Sequence, residues 1–257
     1  MSGLGDRANA QATDHNLLPL FYSKPEPLNA DRHGSLRLAA RATFDFARTA
    51  HAIPVAAAEL PAAMRSYPIV FIGPKRALVA VTGLRREENL FVDSSGEWVR
   101  PHYVPTYIRR YPFILAHDRS RERLTLCIDR ASERIVEADG IVPTAPFFQE
   151  GEPSDATKQA LAFCDKFEKD LEATRKMVEQ IESLGLFAQK QGRFTLPNGE
   201  ILNLSDFHMI DEVAVNDLSD ANFLCLRKSG ALSLIFCHLA STNSWHSLLY
   251  RASQRRH

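Results

Sequence analysis

Pro68-Ile-Val-Phe-Ile-Gly-Pro-Lys-Arg-Ala-Leu-Val-Ala-Val-Thr-Gly83 contains two short apolar runs separated by Gly73-Pro74-Lys75. Runs this short, rich in β-branched residues and bounded by Gly and Pro, read as strands, and so tight a break between them reads as a hairpin. Asn89-Leu-Phe-Val-Asp93 continues as a third strand, and Ser94-Ser-Gly-Glu97 turns the chain onward. Phe113-Ile-Leu-Ala116 and Leu124-Thr-Leu-Cys-Ile-Asp129 add two more, linked by the charged turn from Asp118 to Arg123. The connections are too short for crossover helices, so the pairing is expected to be antiparallel.

Such a sheet needs a cover. Between residues 155 and 184, Ala160, Cys164, Phe167, Leu171, Thr174, Val178 and Ile181 recur at alternating steps of four and three. That spacing draws one apolar stripe along a long helix, with Lys and Glu on the other face. Gly185 followed by Leu186 supplies a helix stop of the Schellman type. The stripe suits a helix lying across a sheet or a coiled-coil seam with a partner; the first is preferred. The fold class is therefore α+β: a mostly antiparallel sheet over 68–129, packed by a long amphipathic helix, with a mixed α/β C-terminal segment over 191–257.

Around this frame, residues 1–16 read as a disordered tail and 17–28, with Pro19, Pro25 and Pro27, as an extended segment. Residues 36–48 suit a short helix or strand-like packing, and 56–67 a helix with Pro61 near its start and Tyr67-Pro68 at its end. The Pro- and Gly-rich stretch 139–153 reads as a linker. Residues 194–202 form a hairpin pattern around Asn198-Gly199, 207–215 a strand, and 219–228 a helix ending at Gly230. Residues 231–239 fit a buried strand or a helix, and 244–252 an amphipathic helix. Residues 17–257 are expected to form one domain.

Composition narrows the function classes. The 257 residues carry 31 Lys+Arg and 31 Asp+Glu, so there is no basic surplus of the kind a nucleic-acid binder shows. The local basic clusters, Arg85-Arg86, Arg109-Arg110, Arg119 to Arg123, and Arg251 with Arg255-Arg256, read as solvated charge. Cys127, Cys164, Cys225 and Cys237 are far apart in apolar stretches and read as buried reduced thiols. The polar N-terminus has no basic-then-apolar leader pattern, and no apolar run nears the ~20 residues of a membrane span. A cytoplasmic protein that does not span a membrane is expected.

The densest chemistry lies in Trp98-Val-Arg-Pro-His-Tyr-Val-Pro-Thr-Tyr-Ile-Arg-Arg-Tyr-Pro-Phe113, with five aromatics, three arginines and three prolines. Arg109 and Arg110 beside Tyr107, Tyr103 and Trp98 can clamp a carboxylate or phosphate while the rings stack on an apolar moiety. Alternatively, one Arg pairs with an internal acid and the rings are core. His102 and His117, with Asp118 or Asp129, are candidate metal ligands, against the plainer reading of locally satisfied histidines. His238 and Ser241, with His246 nearby, invite a hydrolase reading, against a polar pair stitching the C-terminal elements together. The acid pairs Glu87-Glu88 and Asp211-Glu212 read as surface. No Gly-rich phosphate loop, nucleophile elbow or His-Glu-x-x-His motif occurs, and no metal or cofactor is expected.

Pro27-Leu28-Asn29 with His33, Ile53-Pro54-Val55 with Glu59, Tyr67-Pro68-Ile69-Val70-Phe71, Asn89-Leu90 with Trp98, and Tyr103-Val-Pro-Thr-Tyr-Ile-Arg-Arg-Tyr-Pro-Phe113 resemble the SapC family of bacterial proteins. Lys228-Ser-Gly-Ala-Leu232 and His238-Leu-Ala-Ser241 extend the resemblance to about 20–253. It implies a Gram-negative protein of a family named for a surface-array (S-layer) locus, often encoded near outer-membrane TonB-dependent receptors. It implies no catalytic residues. The favoured expectation is a non-enzymatic accessory protein that binds a partner protein or small ligand through the aromatic–Arg block. The alternative is a metal-dependent oxygenase-like or hydrolytic enzyme acting beside an outer-membrane uptake system.

Overall fold

The computed structural model describes residues 2–3, 18–40, 43–118, 123–137, 143–196 and 199–255. The chain divides into a larger unit, Met1–Leu17, Phe44–Tyr107 and Asp170–His257, and a smaller one, Leu18–Thr43 and Ile108–Lys169.

In the larger unit the expected hairpin forms, with Ile69–Ile72 antiparallel to Ala77–Val81 and Ile69 opposite Ala80. Both strands are buried on both faces over most of their length. That is why they read as continuous apolar runs rather than as an alternation. Ala52–Pro54 pairs along the far side of Ala77–Val81, its proline tolerated at a sheet edge. On the near side, Phe207 and His208 pair with Ile72 and Phe71. Those two residues belong to Ile201–Ile210, one long strand antiparallel to Phe187–Thr195. The strand ends earlier than expected, because Asp211 accepts hydrogen bonds from the Val213 and Ala214 amides and starts the helix Glu212–Asn216. Asn198 of the expected turn lies outside the described residues. Of the N-terminal tail, Ser2–Gly3 pair in parallel with Leu204–Ser205, and 4–17 lie outside the described residues.

The ambiguous segment is the helix Ala231–Ser241, which buries Ala231, Leu234, Ile235, His238 and Ser241 at helical spacing. It follows the helix Asp220–Ser229, which stops at Gly230 with φ +83°. Residues 56–67 are less helical than expected: a 3-10 turn, Ala57–Glu59, leads into one α-turn, Leu60–Ala63. Residues 89–93 make no strand, only an isolated bridge from Val92 to Trp98.

The long helix runs from Asp155 to Ser183, and its stop is as read. Gly185 sits at φ +69°, its N–H bonds the Glu182 carbonyl, and the Leu186 N–H bonds the Ile181 carbonyl. Thr174, the polar member of the stripe, accepts from the Ala57 amide at 2.8 Å and donates to the Asp170 carbonyl.

In the smaller unit, Arg123–Asp129 lies between Phe113–Asp118 and Pro25–Pro27 and pairs antiparallel with both, in a sheet separate from the Ile69–Ile72 hairpin. The single sheet expected over 68–129 is therefore two. A second small sheet runs Thr144–Pro146, Leu36–Ala39, Ile135–Glu137. The stretch expected as a linker thus supplies a strand and the fully buried Phe147. Leu36, Phe113, Leu126, Ile128, Ile135, Phe147 and Cys164 form the core, with Ala160 packed against them. Here the helix stripe faces a sheet, as preferred. All four cysteines are free; Cys225 is exposed, contrary to expectation, while burial pushes the Cys164 thiol up to about 11. Among the described residues no single helix is long and apolar enough to cross a membrane.

Candidate functional site

The aromatic–Arg block is divided between the two units, with Trp98, Tyr103 and Tyr107 in the larger and Arg109 and Arg110 in the smaller. Trp98 Nε1–H donates to the Tyr67 hydroxyl at 3.1 Å, and that hydroxyl donates to the Tyr103 carbonyl. Tyr103 in turn donates its hydroxyl to buried Glu59 at 3.0 Å, and the Ala56 and Thr106 amides donate to the same carboxylate. Burial pushes the Tyr67 phenol above its ordinary range. Tyr107 is fully buried. These residues hold one another.

The two adjacent arginines differ sharply. Arg110 is 3% exposed, paired with Glu168 at 2.9 Å, its guanidinium 5.1 Å from the Phe167 ring and 5.8 Å from that of Tyr22. Arg109 is exposed and lies over Phe163 at 5.4 Å. Nearby, buried Asp129 accepts from the Ser23 and Lys24 amides and the Tyr111 hydroxyl, so it is committed to structure.

His238 and Ser241 do not face each other as base and nucleophile. Nε2 of His238 accepts the Ile210 amide at 3.1 Å, and Ser241 Oγ accepts the Ile69 amide at 3.1 Å while donating to the His238 carbonyl. The pair fastens the helix Ala231–Ser241 to two strands. Burial drives the His238 pKa down to about 4, the Ile69 backbone opposing. His246 is exposed. The side chains of His117 and Asp118 lie outside the described residues. Among the described residues no three His, Cys, Asp or Glu side chains converge to hold a metal ion. Arg85 and Glu88, read as surface charge, are instead clasped at 2.8 Å, with Arg85 also gripping Glu200 at 2.7 Å.

A cleft of about 550 Å³ opens in the larger unit between the C-terminal helix Ser244–Gln254 and residues 90–99. Leu90, Val92 and Val99 give it an apolar lining, and Tyr250, 67% exposed, stands at its rim. Three arginines border it, in three different states. Arg48 is paired with Asp45 and donates to the Asp93 carbonyl. Arg255 donates to the Asn89 and Val92 carbonyls. Arg251 donates to His102 Nε2, covers the Phe91 ring at 5.0 Å, and has a buried Nε with no hydrogen-bond partner. Among the described residues no carboxylate lies within 4.0 Å of Arg251 or Arg255. Burial lowers the Arg251 pKa, the Tyr67 phenol opposing, and burial followed by the Arg251 charge lowers that of His102. A guanidinium does not shed its proton in a protein, so a desolvated one without an acid is a standing attraction for an anion.

The terminal arginines Arg251 and Arg255, expected to be solvated charge, instead line this cleft. A signal was present. Residues 221–257 contain five Lys/Arg and no Asp or Glu, so cations there have no local acid to meet.

The residues that carried the family resemblance are mostly those that lock this framework. Asn29 caps the helix Ala30–His33, and the Asn29 amide donates to His33 Nδ1 at 3.0 Å. Glu59, Tyr67, Trp98, Tyr103 and Thr106 form the network above. Searches of curated proteins and of solved structures give no match. The family model SapC matches residues 28–248, most of the chain and every part of this framework, and the chain belongs to the SapC family.

Proposed function

We propose that this SapC-family chain is a non-enzymatic accessory protein that captures an anionic group in the Arg251–Arg255 cleft. Such capture would serve a bacterial cell-surface layer or an outer-membrane uptake system, the setting the family resemblance implies. One observation carries the reading: two guanidiniums, one of them desolvated, share a concave site with no carboxylate within 4.0 Å among the described residues. Buried or half-buried charge is ordinarily paired. Here the pairing group is supplied from outside.

The test is a titration of the purified protein with sodium acetate, phosphate and octanoate at constant ionic strength, following the arginine Nε–Hε NMR resonances together with the methyl resonances of Leu90, Val92 and Val99, which the double variant below retains. At least one anion shifts Arg251 and Arg255 saturably, and the double variant Arg251→Gln, Arg255→Gln loses the response while remaining folded by circular dichroism. No saturable shift with any anion sinks the reading. So does loss of the response in Arg109→Ala with retention in the double variant, which moves the site to the aromatic–Arg block.

A further inference from the structure

Resting on the anion-capture reading, we infer that the cleft takes a single carboxylate carried on an apolar body, a free organic acid or the C-terminus of a peptide, and not a phosphate group. Charge sets the first limit. Arg48 is offset by Asp45, leaving Arg251 and Arg255 against Asp93, a net of about one positive charge from formal values. Asp93 stays ionised at the rim, its carboxylate held below the ordinary range by the Ser95 hydroxyl and then the Glu97 amide. The cleft also lies at the C-terminal end of the helix Ser244–Gln254, where the macrodipole contributes roughly half a negative charge. A carboxylate brings one negative charge, whereas a phosphate monoester brings about 1.5 to 2 at neutral pH. Against a field between roughly half and one positive charge, the carboxylate is the closer match and the phosphate monoester leaves the larger excess.

Donors set the second limit. Both Nη groups of Arg255 already serve the Asn89 and Val92 carbonyls, and Nη2 of Arg251 serves His102. What remains suits the two oxygens of a carboxylate. Phosphate sites gather more donors, commonly the free amides of a helix N-terminus, and this cleft borders the opposite end of its helix. The lining sets the third limit. Leu90, Val92 and Val99 offer an apolar wall that a small inorganic anion leaves wet, and the volume admits a body well beyond a bare carboxylate.

Isothermal titration of the full chain with acetate, octanoate, octanamide, octyl phosphate, and acetyl-Ala-Ala-Leu as free acid and as amide reads all three limits. Each buried methylene strengthens binding up to about four-fold, so octanoate is expected at least ten-fold tighter than acetate. Octanamide is expected at least ten-fold weaker than octanoate, and octyl phosphate at least three-fold weaker. Methyl NMR shifts of Leu90, Val92 and Val99 place the ligand without any substitution. Val99→Glu, which leaves both arginines intact, is expected to abolish octanoate binding. A peptide acid binding tighter than octanoate assigns the source as a chain terminus, and the reverse order assigns a free acid. Octyl phosphate equal to or tighter than octanoate overturns the carboxylate inference and leaves anion capture standing. Octanamide equal to octanoate, or no binding by any anion, removes both.

Discussion

Replacing Arg110 by alanine, beside the same change at Arg109, tests how this chain uses the most conspicuous pair in its sequence. Arg110 loses three things. The ion pair to Glu168 is worth about 0.5–1 kcal/mol, discounted because the Glu168 side chain is 37% exposed and rehydrates. The contacts with Phe167 and Tyr22 contribute about 1 kcal/mol each in a desolvated setting. The buried stem adds about 2 kcal/mol after partial relaxation. Against a total near 5, the released rotamer entropy returns about 2 kcal/mol, leaving a net loss of about 3. For a chain of this size that lowers Tm by about 6–12 °C. Arg109→Ala, at an exposed position, is expected within about 0.5 kcal/mol of wild type. Arg110→Met restores the stem and recovers about half of the loss. Urea titration and calorimetry read all three. An Arg110→Ala variant within 1 kcal/mol of wild type, or an Arg109→Ala variant equally destabilised, refutes the assignment of Arg110 to the fold.

Gly185→Ala is expected to cost about 1 kcal/mol, measurable as a lower urea midpoint with unchanged m. An added Cβ meets nothing within 4 Å there, so the cost is that of the left-handed backbone alone. The depressed pKa of His238 predicts a pH effect whose sign follows from linkage. The unfolded imidazole takes up a proton below about 6.5 and the folded one only near 4, so stability falls as pH drops through that window. The full loss is about 3 kcal/mol, and His238→Gln, whose amide oxygen can still accept from Ile210, should flatten the slope of urea midpoint against pH between 6.5 and 4. A slope unchanged in the variant would assign the acid sensitivity elsewhere.

Local pattern and long-range pairing explain which parts of the fold were legible. The Ile69–Ile72 hairpin, the stripe of the long helix and the Gly185 stop are written within a few residues of one another, and all three form as read. Sheet membership is not local. Ile72 finds Phe207 and Pro27 finds Cys127 across a hundred residues or more each, so nothing in 68–129 announces that its strands belong to two sheets. The stretch 139–153, of which 139–142 lie outside the described residues, misled for a related reason. Their Pro and Gly content reads as a linker, yet Phe147 is buried and its carbonyl accepts from the Ser154 amide and the Thr157 hydroxyl.

The site was hidden by a different asymmetry. A sequence displays how many polar and aromatic groups a segment has, whereas function depends on how many of them the fold leaves uncommitted. The family-marking groups are largely committed internally: Glu59 accepts three donors, Tyr67 bridges Trp98 and Tyr103, and Arg110 is enclosed by Glu168, Phe167 and Tyr22. Arg85 is held by two carboxylates in the same way. Arg251 and Arg255 sit in an acid-free stretch of sequence, one helical turn apart, and meet carbonyls, an imidazole and a ring where the others meet acids. Net neutrality of the whole chain conceals this, because Asp93 at the cleft offsets only one of those two charges and the acid that balances the other in the count stands elsewhere. Charge left unbalanced within a concave, partly dry site draws a counter-ion whatever the global total, and that local surplus carries the proposed capture of an anion.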